Sequence, residues 1–106
     1  MKKTKVIVQI STDNTDSEGF IQQSWSDAAT IYAVELPITN DLALKYWGYQ
    51  DKVEKRIFYK GYNANIVKGN RVLIDDVPLF IVSVLDYGKV MDMLLNNSMP
   101  GGGGSG

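Results

Sequence analysis

A chain of 106 residues, 44% hydrophobic and with a formal net charge of −1, has apolar material for one modest core and no global electrostatic drive toward nucleic acid or anionic membranes. Cysteine and histidine are both absent. That excludes disulfides, thiolate nucleophiles and thiolate metal sites, and removes the commonest general base and metal ligand.

No apolar run approaches the ~18 residues of a membrane-spanning helix. The segment Val6–Ile10 behind the N-terminal lysines is too short for the apolar part of a secretory signal and contains Gln9. The expectation is a protein made and used in the cytoplasm, or in a particle assembled there.

In chain order, KTKVIVQIS (3–11) alternates so that Val6, Val8 and Ile10 share one face of a first strand. TDNTDSEG (12–19) reads as a polar loop. FIQQSWSD then leads into ATIYAVELPIT (29–39), rich in β-branched and aromatic residues. Here Tyr32, Val34, Leu36 and Ile38 share a face, and Pro37 marks a strand end or an edge. Thr39-Asn40-Asp41 suits a helix cap. LALKYWGY (42–49) suits about two helical turns closed by Gly48, with a long loop over 40–49 as the alternative.

KVEKRIFYK (52–60) returns to β character through Val53, Ile57 and Tyr59, and GYNANIVKGN (61–70) reads as a loop. Three strands follow, at 70–75, 77–86 and 89–95, with turns at Asp75-Asp76 and Tyr87-Gly88. Val72 and Ile74 share a face, as do Phe80, Val82 and Val84, while Val90 and Leu94 compete with Met91, Met93 and Leu95 for the core. Short strands, tight turns and one helix at most predict a mainly β fold, a small antiparallel barrel or sandwich. It forms a single domain over 1–97, and the Gly-rich segment 98–106 reads as a flexible tail.

No catalytic set emerges. Asp13, Asp16 and Glu18 share one loop without the glycine and glutamate spacing of an EF-hand. Adjacent residues on a strand point to opposite faces, so Asp75-Asp76 makes a turn rather than a carboxylate dyad. Lys68-Gly69-Asn70-Arg71 lacks the frame of a phosphate loop, and Ser24 and Ser83 have no histidine to activate them. No enzyme activity, cofactor or metal is expected.

Charge is segregated. Residues 45–71 carry seven basic and two acidic side chains, and the remainder four basic and ten acidic. Tyr46, Trp47, Tyr49, Phe58, Tyr59 and Tyr62 are interleaved with the basic stretch. Such a segment could follow a nucleic-acid backbone. The favoured reading is a solvated strand whose aromatics fill a core or a subunit contact, because net charge is near zero and no RRM, KH or helix-turn-helix pattern is visible.

Three pieces in order carry a family resemblance. They are DSEGFIQQSW followed by TIYAVELPIT, then KRIFYKG, then NRVLIDDVPLFIVSVLDYGKVMDMLL, together spanning about residues 4–96. In this pattern the chain resembles the small head–tail joining, or head-closure, proteins of tailed bacteriophages. The resemblance implies a homo-oligomeric ring following portal symmetry, placed in the virion neck and assembled in the host cytoplasm. Its partners would be the portal or adaptor protein of the head, the tail-terminator protein and, non-specifically, packaged DNA, with no membrane contact.

The resemblance further implies a channel loop or subunit interface over 39–51, carrying Leu42, Leu44, Tyr46, Trp47 and Tyr49, with Lys52, Lys55 and Arg56 facing DNA. A tail-terminator or tail-completion ring protein is the near alternative. A single-strand nucleic-acid binder on an OB-like barrel is the distant one.

Overall fold

The computed structural model describes residues 2–15, 18–19 and 21–97. Among the described residues six strands are formed: β1 (Thr4–Thr15), β2 (Ile21–Leu36), β3 (Lys55–Tyr59), β4 (Arg71–Ile74), β5 (Val77–Asp86) and β6 (Met91–Asn96). They close into a barrel in the order β1-β2-β3-β6-β5-β4, with one helix, α1 (Asn40–Trp47), between β2 and β3. Closure comes from β4, which turns back to pair with β1 through Ile7↔Leu73, Val8↔Val72 and Gln9↔Arg71. All neighbouring strands are antiparallel. The α1 crossover and the β4–β5 turn therefore lie at one end of the barrel, and the other three connections at the opposite end. The mainly β fold with one short helix matches the sequence expectation.

The barrel is filled rather than hollow. Val6 and Val8 of β1, Val72 and Ile74 of β4, and Met91, Met93 and Leu95 of β6 are buried in one cluster, with Ile66 of the β3–β4 loop packed into it. At about 1.5–3 kcal/mol for each large apolar side chain, this burial dominates stability. β6 is buried on both faces, because Leu94 points away from the barrel interior into a second cluster with Val82 and Ala43. Ala43 sits on the inward side of α1, which thus lies on the outside of β5 and β6. The helix starts where the Thr39 hydroxyl accepts a hydrogen bond from the Leu42 amide at 3.2 Å, and it ends at Gly48, whose φ of 67° is left-handed. Among the described residues no helix is long and apolar enough to cross a membrane.

Several details depart from the sequence expectation. Segment 12–19 is expected as a loop, yet β1 runs through Thr15 and β2 starts at Ile21. Beyond Gln9 only these two strands pair with each other, from Ile10↔Ser26 to Thr15↔Ile21, as a two-stranded ribbon leaving the barrel. Backbone pairing, not core burial, holds that ribbon, so apolar periodicity carries no trace of it. Its root is fixed where Trp25 meets Phe80 edge-on at 5.9 Å between ring centroids, with the Arg71 guanidinium 4.7 Å above the Trp25 ring.

In β5 the expected shared face of Phe80, Val82 and Val84 is broken. A register shift between Ile81 and Ser83 leaves Val82 under α1 and Val84 against the barrel core. A similar shift between Val8 and Gln9 takes Ile10 out of the core face. The proposed tail, 98–106, and Asp16 of the acidic loop lie outside the described residues.

Candidate interaction surface

Strand β2 alternates between outward and core-facing side chains over residues 30–34. Ile31 and Ala33 enter the core, which turns Tyr32, Val34 and Leu36 outward. Across the ladder Val34 faces Phe58 and Leu36 faces Arg56. These side chains, with Lys3, Lys60 and Asp92, line an open groove of about 510 Å³ on the outer wall. The groove has an apolar floor and a basic rim, and Tyr32 remains 57% exposed although the barrel interior is already filled.

At one end of the groove Arg56 is tied down. Its Nε donates to Asp92 Oδ1 at 3.0 Å and its Nη2 to Oδ2 at 2.7 Å, a bidentate pair. The guanidinium also lies 4.9 Å from the centroid of the Trp47 ring, and Trp47 Nε1 donates to the Asp92 carbonyl at 3.4 Å. The hydrogen bonds that Arg56 donates to Asp92 are the main reason that the Arg56 pKa is raised above its ordinary value, against the opposing effect of burial. Arg56 thus fastens the end of α1 to β6.

No family model matches the chain, and no curated protein matches it. Among solved structures it is similar to the solution structure of protein SF1141 from Shigella flexneri 2a, with a TM-score of 0.68 and 18% identity over 88% of this chain and 89% of that one. At that identity the likeness speaks for the fold, a barrel shared over nearly the whole length of both chains.

The residues expected to form a channel loop divide into two groups. Leu44 and Tyr46 point into solvent, 51% and 57% exposed, and Leu42 is half-buried. Trp47 and Tyr49 instead pack with Ile38 and Val53 onto the cluster beneath α1. Burial raises the Tyr49 phenol pKa above its ordinary value, a hydrogen bond with Asn96 opposes this, and the charge of Asp51 adds to it.

The three cations expected to face DNA each lie near a carboxylate. Lys52 is 3.8 Å from Glu54 and largely exposed, Lys55 is 3.1 Å from Glu35, and Arg56 is paired with Asp92. Sequence reasoning did not single out Tyr32, Leu36, Phe58, Lys3 and Lys60 as a site. The available signal was the outward phase of Tyr32, Val34 and Leu36, legible once Ile31 and Ala33 are taken as the core pair. Among the described residues no group of three acidic side chains is placed to hold a metal ion.

Proposed function

We propose that this chain is a ring-forming structural protein of a tailed-bacteriophage neck. It closes the portal channel after DNA packaging and gives the tail a docking platform. The observation that carries the reading is the apolar groove with a basic rim on the outside of a barrel that is already filled. Outward Tyr32, Val34, Leu36 and Phe58 on a filled barrel suit contact with another chain. Leu44 and Tyr46 give a second outward apolar element on α1, outside β5 and β6. The ordered resemblance over residues 4–96 supplies the biological setting.

In this reading the ring partners are further copies, above it sits the portal or adaptor protein, and below it the tail-terminator protein. Packaged DNA passes the ring without sequence-specific contact. Disrupting the gene in the phage that carries it tests the proposal by electron microscopy. The expected result is filled heads that lose DNA, alongside free tails; intact, tailed particles would reject it.

A further inference from the structure

We propose that the groove on β2 and β3 receives the β4–β5 turn, Asp75-Asp76-Val77-Pro78, of a second copy of this chain. The two surfaces complement each other in charge. Among the described residues Lys3 and Lys60 on the groove rim make no hydrogen bond or ion pair, and neither do Asp75 and Asp76. Lys5 shares a small cleft with the two aspartates but makes no ion pair with them. The surfaces also complement each other in polarity. The groove floor is Tyr32, Val34, Leu36 and Phe58, and the turn carries Val77, 54% exposed, beside an exposed Pro78.

The turn is also shaped at a conformational cost. Asp75 and Asp76 hold φ of 52° and 63° in a two-residue hairpin, where Asn-Gly would sit with less strain. Two acidic groups kept in left-handed geometry at an exposed tip suit an electrostatic plug. The groove and the turn are different patches of one surface, so the contact runs head to tail and builds a ring when its rotation closes. This deepens the ring-forming reading and rests on it for the closed geometry. A four-residue turn in a groove is smaller than the ~1,600 Å² of a standard interface. The contact is therefore weak between free copies and is best trapped covalently.

The chain has no cysteine, so an engineered pair reports without background. Copies bearing Lys60→Cys are mixed with copies bearing Asp76→Cys and oxidised. The expected result is a mixed disulfide dimer several-fold in excess of the homodimers. Its yield should fall when salt is raised from about 0.05 to about 0.5 M, and again when Lys3→Glu is added to the first copy. Asp75→Asn in the second copy, which keeps a residue tolerant of left-handed φ, should lower the yield without loss of folding by circular dichroism.

A mixed yield no higher than the homodimers overturns the contact. So does a groove that instead shifts single-stranded oligonucleotide in a gel, with that shift lost on Lys3→Glu/Lys60→Glu, which would assign it to nucleic acid. Failure of the disulfide together with particles that still require the protein rejects this contact alone. A strong mixed disulfide together with normal particles after gene disruption rejects the neck reading instead.

Discussion

Replacing Arg56 by Leu should cost more than any single change at the exposed lysines. The Asp92 side chain is only 8% exposed, and its carboxylate loses both hydrogen bonds when Arg56 goes. Breaking a fully buried pair costs about 3–5 kcal/mol, chiefly because the remaining charge is stranded. Arg56 keeps 24% of its side chain in solvent, so water partly repairs the loss and the expected figure is about 2–3 kcal/mol. That includes the contact with the Trp47 ring, about 0.5–1 kcal/mol at a part-exposed site. In a domain of this size the loss lowers Tm by roughly 10–20 °C.

The assay is urea unfolding followed by tryptophan fluorescence, with the midpoint falling at unchanged slope. Changing Asp92→Leu in the same chain should restore most of the loss, because an apolar pair of similar volume replaces the ion pair without a stranded charge. If Arg56→Leu stays within about 0.5 kcal/mol of wild type, or the double variant is as unstable as the single, the role of Arg56 as the fastening between α1 and β6 is wrong. Arg56→Glu would place a second carboxylate against Asp92 and unfold the site, so a loss of function there says nothing about DNA. Lys52, 80% exposed, is the position to reverse in a test of DNA contact.

Ala43→Leu should lift α1 off Val82 and Leu94, costing about 1–3 kcal/mol by overpacking, read as a lower unfolding midpoint. Tyr49 has a raised folded-state pKa, so its contribution is complete below pH ~10 and is lost as pH climbs through the higher folded value. Denaturant unfolding across that alkaline range should therefore fall more steeply in wild type than in Tyr49→Phe. Changing Asp75→Asn with Asp76→Gly should raise stability by about 0.5–1 kcal/mol, because both replacements suit the left-handed positions better.

The barrel was legible because most of its strands bury one face. Val6 and Val8, and Val72 with Ile74, alternate as a half-buried strand must, and the Asp75-Asp76 turn stands where two strands need a two-residue link. β6 resisted reading for a physical reason: the barrel core takes Met91, Met93 and Leu95 while α1 covers Leu94, so both phases are apolar. β5 misled because the register shift between Ile81 and Ser83 changes phase mid-strand, which no single period describes. The ribbon beyond Gln9 was invisible because it is paired mainly through the backbone, among mostly polar residues with no apolar alternation.

The surface was the least legible part. Tyr32, Val34 and Leu36 look like a core stripe until Ile31 and Ala33 are seen to occupy the interior. Arg56 looked like a free cation because its partner, Asp92, lies 36 residues away in sequence.

The central claim concerns where this barrel resides. An averaged electron-microscopic reconstruction of the neck of intact particles tests it directly. The account predicts a ring of these barrels between portal and tail, each outer β2–β3 groove covered by a neighbouring copy. A neck fully accounted for by other chains, with no density matching this six-stranded barrel and its external helix, would contradict it.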